Sequence, residues 1–221
     1  IQEDETALVI WAIWHHYAVH RDIEEIRSLY SPFVEKAADF LLNFRDDKTG
    51  LPLPSYDLWE ERRGVFTYTA ATVIAGLHAA AELATLFQEE TRADAYLNGA
   101  HDMRRAVDEH LYCSREGRYA RGILVERGVQ IRDATVDSSL LGLVIFGGYD
   151  PLDPRIVKTV QAVEQNLWVQ AGSGGLARYE GDRYQRALVR EGVPGNPWIV
   201  CTLWLAQYHI AAARSLKDLE K

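Results

Sequence analysis

Residues 66–88 read FTYTAATVIAGLHAAAELATLFQ. Phe66, Ala70, Val73, Leu77, Ala80, Ala84 and Phe87 recur at a period near 3.6, which predicts a long helix with an apolar stripe. Outward from this segment the same period returns. Residues 92–111 place Ala95, Gly99, Met103, Val107 and Leu111 on one side of the next helix. Upstream, Ser31-Pro32 supplies an N-cap and a proline at the first helical position. The helix that follows runs to Phe44 and carries Phe33, Ala37, Phe40, Leu41 and Phe44 together. Residues 4–19 are apolar on more than one face, which predicts a well-buried helix. Shorter helices are expected at 135–145 and 154–169. A last one is expected from Asn196 to Lys217, with Asn196 as N-cap and Pro197 behind it.

Long connections at 45–65, 113–134, 146–153 and 170–195 separate these helices. Loops beyond about 12–15 residues are uncommon and often functional. The rhythm is helix, short link, helix, long loop. Helical hairpins of this kind pack side by side into a ring or solenoid, with the long loops on one face. The site is expected on that face.

Composition bounds the reading. Hydrophobic residues are 48% and charged residues 25% of 221, the balance of a soluble folded chain and not of a disordered one. The length suits a single domain, 1–221, or a piece of a larger one. Net charge is -8, and Arg62-Arg63 and Arg104-Arg105 are isolated doublets. A nucleic-acid partner would call for a basic stripe, so none is expected, and a neutral substrate fits this charge better than a polyanion. The longest unbroken apolar run, Ala7 to Trp14, is far short of the ~20 residues of a spanning helix, so no membrane partner is expected. Cys113 and Cys201 make no disulfide framework and no signal-peptide pattern opens the chain, which favours the cytoplasm over secretion. The chain starts at Ile1 and its one methionine is Met103, so it reads as an excerpt of something longer.

Loop 45–65 is the most informative connection. Asp46, Asp47, Asp57, Glu60 and Glu61 bring carboxylates to it, and Trp59 sits directly before the glutamates. Glycoside hydrolysis needs one carboxylic acid kept protonated and a second carboxylate across the sugar. Burial against an indole and a neighbouring carboxylate both raise a glutamate's pKa. The alternative is that Glu60 and Glu61 simply open the next helix, where acids favour the positive end. In the stretch 172–198, Gly172, Gly174 and Gly175 let backbone approach a ligand, and Arg178, Tyr179, Glu180, Asp182 and Tyr184 suit sugar hydroxyls. The alternative is a solvated loop with Arg178 paired to an acid. Asp4 reads as an N-cap. No H-E-x-x-H or C-x-x-C occurs, and adjacent His15 and His16 point to different sides of a helix, so neither metal nor cofactor is expected.

Four blocks together resemble the glucoamylase family, glycoside hydrolase family 15, in its bacterial and archaeal branch. They are Gln2-Glu3-Asp4, PSYDLWEERRG (54–64), GGLARYEGDRY (174–184) and GNPWIVCTLWLAQYHI (195–210). The resemblance implies an all-α toroid, (α/α)6, of which seven or eight of twelve helices are present. It implies removal of glucose from non-reducing ends of α-linked glucans by inversion, so the partner is an α-linked gluco-oligosaccharide or disaccharide. Residue by residue it makes Glu60 the general acid and Glu61 a sugar-binding partner. Tyr56, Asp57, the Leu58 carbonyl and the Trp59 ring would line the pocket with Trp198, and Arg178 would hold a sugar hydroxyl.

Departures accompany it. The family's general base lies beyond the GNPW block in a segment this chain lacks, and an Arg-Asp pair would precede Ile1. Glu180, in the arginine block, is a poor substitute for the base. The piece alone is therefore expected to hydrolyse little. An incomplete ring exposes apolar flanks that a homodimer would cover. The competing readings are a trehalase or other α-glucosidase of the same family, a carbohydrate-sensing helical toroid without catalysis, and a plain helical scaffold.

Overall fold

A computed structural model describes residues 2–170, 174–186 and 192–219. Its helices are α1 (Glu3–His20), α2 (Ile23–Leu29), α3 (Glu35–Asn43), α4 (Thr67–Leu86), α5 (Glu90–His110), α6 (Gly142–Ile145), α7 (Pro154–Leu167) and α8 (Ile199–Ala212). Its strands are short: β1 (Ser55–Tyr56), β2 (Arg63–Phe66), β3 (Tyr112–Cys113), β4 (Arg118–Tyr119), β5 (Gly122–Glu126), β6 (Val129–Asp133), β7 (Trp168–Val169) and β8 (Gly175–Leu176). The chain divides into two compact units, Ile1–His110 with Leu124–Gln130, and Leu111–Ile123 with Ile131–Lys221.

The first unit is built on α4, the periodic segment. Ile74, Leu77 and Leu83 are fully buried, each contributing about 1.5–3 kcal/mol of transfer free energy. By length and composition α4 could cross a membrane, but 78% of its most apolar stretch is buried inside the protein. Helices α1 and α5 pack on it. A Cβ at Gly76 would meet the Ala7 Cα and carbonyl oxygen, both at 3.0 Å, so α1 and α4 touch backbone to backbone. The charge of Asp4 acts on Tyr68 in the first turn of α4, so the two helices run parallel with their N-termini at one end.

Two expectations in this unit need correction. α1 buries Ala7, Ile10 and Tyr17 but leaves Val9 46% and Val19 75% exposed, because only the side toward α4 and α3 is covered among the described residues. Ser31-Pro32 does not start a helix. Asp22 does, accepting from the amides of Glu24 (3.0 Å) and Glu25 (3.1 Å), and the path continues through a π-turn at Tyr30–Val34 into α3. Proline has no N–H to give to a helical ladder, and the wider turn accommodates it. The Ser31 hydroxyl donates to Glu35 instead of capping.

In the second unit β3 pairs with β4 and β7 with β8, both antiparallel. Asp153 caps α7 through the Arg155 amide (2.8 Å), with Pro154 at its first position. The helix expected at 135–145 is a 3-10 turn, Ser138–Leu141, capped by Asp137 and followed by α6. α8 starts later than expected. Asn196 does not cap it; its amide donates to the carbonyls of Tyr184 (3.3 Å) and Gln185 (2.8 Å), and Trp198 is the capping residue. Gly172 lies outside the described residues. Gly175, at φ +135°, serves the chain's own packing: a Cβ would meet Thr202 Oγ1 at 2.9 Å and Pro197 Cβ at 3.0 Å.

Candidate active site

The stretch expected as loop 45–65 holds a turn and a hairpin. The Asp46 carboxylate makes the turn, accepting from the Lys48 and Thr49 amides and the Thr49 hydroxyl, and the bonds from Thr49 hold it below the usual carboxylate range. It is committed to the backbone. The hairpin pairs Ser55 with Gly64 and Tyr56 with Arg63, and residues 57–62 form its tip.

Backbone bonds fix that tip. The Asp57 amide donates to the Arg62 carbonyl and the Glu60 amide to the Asp57 carbonyl, both at 2.9 Å. The Asp57 side chain is buried, and its Oδ1 accepts from the amides of Glu61 (2.8 Å) and Arg62 (3.0 Å). Glu60 takes a left-handed conformation, φ +58°, which non-glycine residues adopt sparingly. Its side chain is exposed, as are Glu61 and Tyr56, while Leu58 and Trp59 are half-buried. Glu60 is thus displayed to solvent and not shielded by the indole, so burial against Trp59 is not what prepares it. Nor do the two glutamates open a helix, since α4 begins only at Thr67.

Below the same end of α4 lie acids that the sequence presented as a helix start. Glu3 and Asp4 sit in the first turn of α1, behind Gln2 as the capping residue, and are 0% and 2% exposed. Among the described residues, both Glu3 carboxylate oxygens and Asp4 Oδ1 have no hydrogen-bond partner, and neither does Thr69 Oγ1. Burial pushes the Glu3 carboxyl up to about 8, with the Asp4 charge adding to it. Burial likewise lifts Asp4 to about 6; the charges of Glu5 and Asp57 add, while its own amide and that of Glu5 pull it down.

The second unit gathers the other candidates around Arg178. This guanidinium is 4% exposed and grips Asp182 with two bonds, Nε to Oδ2 (2.8 Å) and Nη2 to Oδ1 (2.7 Å). Rings surround it: Tyr184 at 4.9 Å, Trp198 at 5.1 Å and Tyr179 at 5.2 Å from Cζ. Each ring face attracts the cation, and the bidentate bond fixes its plane. Burial would raise Asp182, but its bonds from Arg178 and the Tyr184 amide win and hold it low. Of the two readings of this stretch, the pairing of Arg178 with an acid is present, in a buried setting. Trp198 is half-buried, and its indole Nε1 is a buried donor with no hydrogen-bond partner among the described residues. Glu180 accepts the Val136 amide (2.8 Å) and returns its own amide to the Val136 carbonyl, a strut for the segment. A cluster missed in the sequence stands beside it. Arg121, 2% exposed, lies 3.3 Å from Asp137 and 3.6 Å from Asp133, with its guanidinium over the Tyr179 ring at 4.8 Å.

The model of the family "Glycosyl hydrolases family 15" matches residues 1–219. The chain belongs to this family. Among family 15 relatives, an uncharacterised glycosyl hydrolase of Methanocaldococcus jannaschii is 32% identical over 99% of this chain and 32% of its own length. A glucoamylase of a Clostridium species is 28% identical over 84% of this chain and 29% of its own. The chain thus spans about a third of the curated relatives it matches. A bacterial glucoamylase complexed with acarbose superposes with TM-score 0.76 at 24% identity, over 99% of this chain and 34% of that one. The glucoamylase of Saccharomycopsis fibuligera gives 0.70 at 17%, over 94% and 47%. The mainly helical fold of this family 15 chain is therefore that of the glucoamylase structures. Chemically, its first unit presents an exposed carboxyl on a hydrogen-bonded turn, and its second an oriented guanidinium among rings.

Proposed function

We propose that this chain supplies the proton donor and part of the sugar-binding surface of a glycosidase that releases glucose from non-reducing ends of α-glucans by inversion. The observation that carries the reading is the tip at 57–62. A carboxyl, Glu60, stands exposed on a left-handed residue whose neighbours are clamped by the buried Asp57. Strained backbone held by its surroundings is a frequent mark of a working site. Membership of family 15 supplies the reaction class, and the likeness to glucoamylases supports a partial (α/α)6 toroid as the architecture.

In this reading protonated Glu60 gives its hydrogen to the glycosidic oxygen as the bond to the sugar carbon breaks. A second carboxylate, about 6.5–9.5 Å away in inverting enzymes, activates water on the opposite ring face; this reading gives that part to none of the site residues named above. Tyr56, Trp59 and the Leu58 carbonyl line the sugar site beside Glu61. Asp57 serves the site through the backbone it holds. Arg178, aimed by Asp182, and the unpartnered Nε1 of Trp198 are donors for sugar hydroxyls.

The test is hydrolysis of maltose, isomaltose and trehalose by the protein carrying this chain, with the anomer of the released glucose followed by NMR. Release of β-glucose from maltose supports the proposal. Activity on trehalose alone, or retention of the α-anomer, overturns it.

A further inference from the structure

His20 stands one turn beyond His16 at the end of α1. That spacing brings two helical side chains to the same face, and here the imidazole rings lie side by side, with centroids 4.4 Å and planes 36° apart. From α2, Glu25 reaches the same place: its Oε2 lies 3.0 Å from His16 Nε2. An ionised carboxylate only accepts, so His16 Nε2 carries the hydrogen, and in the neutral ring the lone pair sits on Nδ1. His15 belongs to another face, with its Nδ1 bonded to the Trp11 carbonyl at 2.9 Å. Arg21, the next cation in the chain, has its guanidinium over the Tyr17 ring at 5.4 Å. The side chains of His16 and Glu25 are 45% and 52% exposed and His20 is exposed too, so solvent reaches all three.

We infer that His16 and His20 form a surface site for a divalent transition-metal ion of the zinc, copper or nickel class, with Glu25 as the acceptor that orients His16. Imidazole nitrogens suit these ions, whereas magnesium and calcium take oxygen donors. A carboxylate on the second nitrogen of a ligating histidine fixes the ring and raises its basicity. Glu25 does this from a different helix, so an ion held on α1 also ties α1 to α2. His20 lies in the last turn of α1, the helix end that favours positive charge. Among the described residues no group of three His, Cys, Asp or Glu side chains is placed to hold an ion. The site is therefore a two-ligand chelate completed by water, weaker than a closed four-ligand zinc site.

The experiment is a titration of the full chain with zinc chloride alone, followed through the histidine ring signals by NMR. The His16 and His20 signals should move together and saturate together, and magnesium chloride should move neither. H20Q should leave the His16 ring unmoved over the same range of zinc. E25Q should keep the site but weaken it about 10–100-fold, the usual effect of losing such an acceptor. H15Q should bind as wild type does. The altered side chains are all exposed, so these variants should fold normally. Zinc that leaves both rings unmoved, a His16 shift that persists in H20Q, a site lost in H15Q, or wild-type binding in E25Q would overturn the inference.

Discussion

The two candidate regions hold their principal residues by opposite means. Glu60 is exposed, and what fixes it is the turn beneath it: a two-residue strand, backbone bonds across the tip, a left-handed φ, and the two amides held by the buried Asp57. Arg178 is buried, and side chains hold its guanidinium: Asp182 along one edge, with three aromatic rings around it. In the proposed reading Glu60 hands over a proton and so has to meet its ligand directly, with its support coming from behind. A group that must present a fixed pattern of donors gains from a rigid cage. The difference predicts that activity and stability respond separately to changes in the two places.

The sharpest test is E60Q. The rate of glucose release should fall on the order of 10²–10⁴-fold, the range for a lost general acid. Unfolding free energy should change by less than about 0.5 kcal/mol, since the side chain is exposed. Comparable losses of both would erase the contrast. D182N comes next. It leaves Arg178 buried beside a neutral partner, so urea unfolding should show about 3–5 kcal/mol of destabilisation. Wild-type stability in D182N would mean that the pair with Asp182 is not what holds the guanidinium.

D57N should do less. Its side-chain amide can still accept, so the two bonds weaken and are not lost; losing either one outright would cost about 1.5–3 kcal/mol. Here rate and stability should fall together, measured in the same assays, because Asp57 is the one place where the exposed acid depends on a buried side chain. The last contrast is a pH dependence. Glu3 gives up its proton near 4.5 when unfolded and near 8 when folded, so the unfolded chain loses the proton first. Its contribution to stability is complete below pH 4.5 and fades as pH rises to 8. Asp4 acts with the same sign up to about 6. The melting temperature should therefore decline between pH 5 and 8.5, and E3Q should flatten the upper part of that decline and melt higher than wild type at pH 8.5. A decline of equal slope in E3Q would show that the buried carboxyl is not its source.

How far the sequence disclosed this can be judged residue by residue. α4 was legible because twenty residues allow five turns of a periodic stripe. The hairpin was not, because strands of two and four residues are too short to display alternation, and the acids within it imitate a helix start. Ser31-Pro32 and Asn196-Pro197 both carry start signals, and neither is used. In the first case an earlier cap at Asp22 had already begun the helix; in the second the Asn196 amide was drawn to carbonyls of a distant segment. The family blocks pointed to Glu60, Arg178 and Trp198. They did not reveal that Trp59 leaves Glu60 uncovered, or that Glu3 and Asp4 are interred. Helix-initiating acids are ordinarily solvated, and only the packing of α1 on α4 makes these different.

That packing has a genetic corollary. Where Gly76 meets Ala7 a methyl group would stand 3.0 Å from two main-chain atoms, so one helix would have to give by a few tenths of an ångström to admit it. G76A would act as a wedge at the seam of the first unit, overpacking it by about 1–3 kcal/mol, far from any reacting atom. It should behave as a heat-sensitive allele: full chemistry in the cold, collapse on warming. Such a variant would let the folding of this half be switched off by temperature alone, with every charged group of the site left in place.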